Sequence, residues 1–75
     1  MTMQKPHFPI LEAEISKNGI RKKDIAMALG IQPRTFSLKM SGKTEFSLSE
    51  VRYIHSLFFD ISIEELFSYA EEKGI

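Results

Sequence analysis

The chain has 75 residues, with ten Lys and Arg, ten Asp and Glu, and no cysteine, which excludes more than one ordinary domain, a disulfide framework and a thiolate metal site. Its apolar runs fall far short of the roughly 18 residues of a spanning helix, and the opening MTMQKPHFPI lacks a signal-peptide core, so a soluble, cytoplasmic protein is expected. Zero net charge argues against a nucleic-acid partner, but the distribution argues for one. Residues 17–43 hold Lys17, Arg21, Lys22, Lys23, Arg34, Lys39 and Lys43 against Asp24 alone, whereas residues 44–75 hold seven carboxylates against Arg52 and Lys73. A basic patch, more than a basic total, is the footprint of nucleic-acid binding, although two solvated faces of unlike charge would give the same composition.

Residues 1–8, bracketed by Pro6 and Pro9, read as an N-terminal arm, and residues 9–75 as the domain. Proline suits a first helical position, so Pro9 predicts a helix over about 9–17, with Leu11 and Ile15 inward and Asn18-Gly19 as its stop. A second helix is expected over about 22–29, with Ile25, Ala26 and Leu29 inward, Arg21 as a poor cap and Gly30 at a sharp turn. The third opens near Gln32-Pro33. At about 100° per residue, Met40 shares a side with Phe36, while Arg34, Leu38 and Ser41 fall opposite and Ser37 at the flank.

SGKTEF then reads as a loop, and SLSE at 47–50 as a capping box opening a helix that carries Leu48, Val51, Ile54, Leu57 and Phe58. SIEE at 62–65 reads as a second box, opening a last helix with Ile63, Leu66, Phe67 and Ala70 on one stripe. No stretch alternates with period two, so the expected class is all-α, five helices and no strands.

Two short helices joined by a tight glycine turn can hold the second proud of the surface, the helix-turn-helix arrangement. A major groove about 12 Å wide admits one helix with an inner face on its own domain and an outer face of base-reading side chains. Segment 32–41 has both faces. Residues 20–43, IRKKDIAMALGIQPRTFSLKMSGK, resemble the helix-turn-helix of the lambda-repressor-like, Cro-type family of phage and bacterial regulators, with matches at Ala26, Gly30, Ile31 and Gly42-Lys43. SLSEVRYIHSLFFDISIEELF resembles the last two helices of that family, and FSLKMSGKTEFSLSE is most like small prophage regulators of Gram-positive bacteria.

The resemblance spans about residues 10–68, with three departures. Arg21-Lys22 stand where the family often has Ser or Thr followed by Gln; Lys39 stands where it often has an apolar residue; and FFDIS is about one residue longer than usual. The resemblance implies a five-helix DNA-binding domain and a transcriptional repressor of phage or prophage type. An antirepressor- or antitoxin-like interaction module on the same scaffold is the alternative, since fold does not fix function.

On this reading Pro33, Arg34, Ser37 and Leu38 contact bases of double-stranded DNA, while Lys22, Lys23, Thr35, Lys39, Ser41 and Lys43 contact phosphates. Arg34 reads a guanine edge or clamps a phosphate. Leu38 meets a thymine methyl or packs on the 43–46 loop. Each lysine binds phosphate or is simply solvated. Phe59, Tyr69 and Ile75, left over from the helical stripes, form a homodimer surface that sets two reading helices about 34 Å apart, or else complete the core. His7 and His55 are isolated. No nucleophile–base pair, phosphate-cradling loop or ligand cluster stands out, so no enzyme activity, cofactor, metal, membrane or small-molecule substrate is expected.

Overall fold

Proline and glycine punctuate the first half of the chain, serine the second, and five helices lie between these marks. The computed structural model describes residues 7–69. The helices are α1 (Pro9–Lys17), α2 (Lys22–Leu29), α3 (Pro33–Met40), α4 (Leu48–Leu57) and α5 (Ile63–Leu66), and no strand occurs among the described residues. The expected all-α, five-helix class is observed, and the first four helices have the expected bounds to within a residue.

Pro9 and Pro33 occupy first-turn positions of α1 and α3, where a missing N–H costs nothing. The α2–α3 turn depends on Gly30, whose φ of 76° lies in the left-handed region. Around it the Ile31 N–H donates to the Ala26 carbonyl (3.0 Å) and the Gly30 N–H to that of Met27 (3.0 Å), which closes α2 in a Schellman motif. Only Gly30, Ile31 and Gln32 separate α2 from α3, and the two helices pack on each other in a helix-turn-helix.

The core is built from Leu11, Ile15, Ile25, Ala26, Phe36, Met40, Ile54, Phe58 and Leu66. Ala26 is fully buried, so its small side chain permits the close approach of α3. Phe8 and Phe46, which lie outside the helices and leave no periodic signature, add to this core. Phe46 lies 6.0 Å from Phe36, 5.8 Å from Phe8 and 5.7 Å from Phe67, centroid to centroid, mostly in edge-on geometry. Phe8 is therefore packed at the start of α1 and does not belong to a loose arm. His7 packs edge-on against Phe8 (4.6 Å), and residues 1–6 of the expected arm lie outside the described residues.

Two expected stripes need correction. In α4, Ile54 and Phe58 are buried, but Leu48 is 66% exposed and Leu57 lies at the surface. Leu48 is the first residue of α4, rotated about 120° from Ile54, so no element covers it. The last helix ends at Leu66 after four residues; Leu66 is buried, Phe67 half-buried, Ile63 exposed, and Ala70 lies outside the described residues.

The Ser47–Glu50 capping box forms completely: the Ser47 hydroxyl accepts from the Glu50 N–H (3.2 Å) and the Glu50 carboxylate accepts from the Ser47 N–H (2.9 Å). At α5 only half of the expected box forms, with the Ser62 hydroxyl accepting from the Glu65 N–H (3.1 Å).

Candidate nucleic-acid interface

Helix α3 presents two unlike faces because its apolar residues are four apart. Phe36 is fully buried and Met40 nearly so. On the other side Arg34, Ser37, Leu38 and Ser41 are exposed, and Pro33, about 60° from Phe36 at the helix start, is exposed as well. From Ser37 through Ser41 and Arg34 to Leu38 this ridge covers an arc of about 100–200° from Phe36. Thr35 and Lys39, both on the flank away from Met40, are half-buried.

Arg34 makes no ion pair with a described carboxylate, so its five donors face solvent. Leu38 is 39% exposed, and its carbonyl accepts from the Lys43 N–H (3.0 Å) and the Ser41 hydroxyl (2.9 Å). The Leu38 backbone thus anchors the turn after α3 while its side chain stays at the surface. Ser41 has committed its hydroxyl hydrogen to that carbonyl, so binding a phosphate would require it to turn away. The turn needs Gly42, whose φ is 85°; a Cβ there would fall 2.7 Å from the His7 ring.

The cations of the basic segment divide into two groups. Lys17 pairs with Glu14 (3.6 Å), Arg21 with Asp24 (3.6 Å) and Lys22 with Glu12 (2.8 Å), all exposed enough to exchange partners at little cost. Lys23 and Lys43, like Arg34, are exposed and unpaired among the described residues.

Lys39 differs from the free phosphate-binding cation expected of it. Its side chain is 14% exposed, and its ammonium donates to the Glu50 carboxylate (2.9 Å) and to the Glu45 carbonyl (3.1 Å). Burial pushes the Glu50 carboxyl up, but bonds from the Ser47 N–H, Lys39 and the Ser47 hydroxyl outweigh it and hold it below the usual carboxylate range.

The expected dimer residues are not brought together by any contact among the described residues. Phe59 is 80% exposed near the end of α4, and Tyr69 is exposed but stacked on His7 at 5.1 Å. Ile75 lies outside the described residues. The basic side of α2–α3 carries no side-chain cap at either helix start: Arg21 and Gln32 stand in the cap positions without capping bonds. The Asp24 N–H turns back to the Arg21 carbonyl (3.0 Å), but the N–H groups of Lys22, Lys23, Arg34 and Thr35 have no partner among the described residues, an arrangement suited to anionic oxygens.

Sequence reasoning missed Phe8 and Phe46. For Phe46 a signal was present: it precedes the Ser47 cap, with Val51 at the fourth helical position, the spacing of a hydrophobic staple.

The geometry defines an all-α domain with an exposed second helix of a helix-turn-helix. The solved structure of a transcriptional regulator from Listeria innocua is similar, with a TM-score of 0.68 and 28% sequence identity over 92% of this chain and 64% of that one. The chain therefore spans under two thirds of the length of that regulator. No protein-family model matches the sequence, and no curated protein is significantly similar to it.

Proposed function

We propose that this domain binds duplex DNA through the major groove, with α3 as the reading helix, and that it acts as a transcriptional regulator. One observation carries the reading: α3 buries Phe36 and Met40 and holds Arg34, Ser37 and Leu38 out on the opposite arc. The similarity to a transcriptional regulator agrees with it. A helix that entered a groove would need this division, and the exposed Leu38 and the Arg34 unpaired among the described residues go beyond what an ordinary solvated face requires.

Arg34 reads a guanine edge, Pro33 and Leu38 give apolar contact to thymine methyls, and Ser37 adds a short donor. Lys22, Lys23, Thr35 and Lys43 neutralise or bind phosphates, together with the uncapped starts of α2 and α3, and Ser41 joins them once its hydroxyl is released from Leu38. A homodimer through the surface around Phe59 and Tyr69 would match a roughly palindromic site. The lambda-repressor-like resemblance gives the regulator the sense of a phage- or prophage-type repressor.

Selection from random-sequence duplexes tests the reading. A regulator of this kind enriches a defined site, with half-sites about one duplex turn apart if it is a dimer. Affinity for that site falls steeply with salt, by the release of several ions. No enrichment, with negligible affinity at any salt, would sink the DNA reading and favour a protein-interaction module.

A further inference from the structure

The two buried side chains of α3 fix its position more firmly than its rotation about its own axis. Phe36 and Met40 are the buried residues of α3 and lie within about 40° of each other around its axis. Two anchors on so narrow a stripe hold the helix down but do little against rolling. Lys39 lies about 60° to the other side of Phe36. There its ammonium meets the Glu50 carboxylate oxygen that also accepts from the Ser47 N–H, and it donates further to the Glu45 carbonyl. A single oxygen of Glu50 thus joins the last turn of α3, the loop that follows and the first turn of α4. The pair is 14% exposed at each end, so water competes little for either charge. The Lys39 ammonium also stands 6.0 Å from the centroid of the Phe46 ring, among the aromatic contacts of the core.

We propose that Lys39 and Glu50 form a latch that fixes the roll of α3 and the path of residues 41–47, making both positioning residues for DNA recognition although neither touches DNA. The inference rests on α3 being the reading helix. A roll of α3 moves Arg34, Ser37 and Leu38 together, and bidentate recognition of a base edge tolerates little misplacement. Lys39 accordingly stands where a free phosphate contact would otherwise be expected, and its charge is used inside the protein.

The test uses the full chain and the variants Lys39→Met, Lys39→Arg and Glu50→Gln. Amide NMR reads the latch without DNA. In Lys39→Met the signals of residues 36–47 shift and the Lys43 amide, bonded to the Leu38 carbonyl, exchanges faster, while Leu11, Ile25 and Ala26 stay in place. DNA binding reads the consequence, on the duplex selected by the wild-type protein and on a mixed-sequence duplex. Lys39→Met loses about tenfold in preference for the selected site, the scale of one lost charged hydrogen bond. Its salt dependence is unchanged, and Lys39→Arg restores most of the preference.

Glu50→Gln, which keeps an acceptor for the cap, shows the same loss of preference and covers the case in which Lys39→Met does not fold. A drop of about one in the salt slope of Lys39→Met would mark Lys39 as a phosphate contact and overturn the latch. Unchanged amides at 36–47 would overturn it as well. Failure of the wild-type protein to select any duplex would remove the DNA reading and with it the positioning role, and the amide spectra would still separate that failure from absence of the latch.

Discussion

The two halves of this domain end their helices differently. In residues 17–43 the helices start without side-chain caps, at Arg21 and Gln32, and finish at left-handed glycines, Gly30 and Gly42. In residues 47–69 they start under serine, with a full capping box at Ser47 and half of one at Ser62. The acidic half satisfies its own N–H groups, while the basic half leaves them open beside cations. A helix start left open is a small loss of stability, of order 1 kcal/mol each, that becomes useful only if an anion supplies the missing acceptor. On the proposed reading, the half that stabilises and the half that binds DNA are distinct stretches of one chain, joined by the Lys39–Glu50 pair.

The largest effect is expected at Phe36, a fully buried residue of α3 whose ring meets Phe46, just before the Ser47 cap, at 6.0 Å. Phe36→Ala should cost about 3–5 kcal/mol, most of the stability of so small a domain, and urea denaturation should find the variant largely unfolded. Arg34→Ala changes only the half proposed to bind DNA. It should reduce discrimination between the selected duplex and a mismatched one by about 1–3 kcal/mol, with folding stability moved by no more than roughly 0.5 kcal/mol; an equal loss on every duplex would identify a phosphate clamp instead.

Caps sharpen the contrast further. Ser47→Ala should lower stability by about 1 kcal/mol, and Arg21→Ser should raise it by somewhat less, because it adds a cap where none exists. Thermal melts of both variants check this, and no gain from Arg21→Ser would mean that the asymmetry is not one of capping. Acid has the smallest effect. Because the Glu50 carboxyl is held below its ordinary value near 4.5 when folded, it contributes stability above that pH, and this is lost as pH falls through its folded value. Stability measured from pH 6 to pH 3 should therefore decline less steeply in Glu50→Gln than in the wild type.

Much of the architecture was legible before any coordinates. Prolines at 9 and 33, glycines at 19, 30 and 42, and serines at 47 and 62 mark helix ends through backbone chemistry that acts within a few residues. The facing of α3 was legible as well, since a rotation of about 100° per residue from Phe36 already separates Met40 from Arg34 and Leu38.

Leu48 and Leu57 were misjudged because a helical wheel gives a direction, and only the neighbouring elements decide whether anything lies in that direction. Phe8 and Phe46 escaped notice because residues outside helices have no period. Lys39 had a direction but no partner in view, since Glu50 stands eleven residues on, across a turn.

From the sequence alone came the helix starts, every helix end but that of α5, and the outward face of α3, because capping, turn geometry and helical period are local. Tertiary structure alone decided which apolar residues are covered, how the aromatic rings meet around Phe46, and that one lysine of the basic segment points inward to a carboxylate. Those outcomes depend on which surfaces come together in space, and burial strengthens or removes an interaction only once they have met.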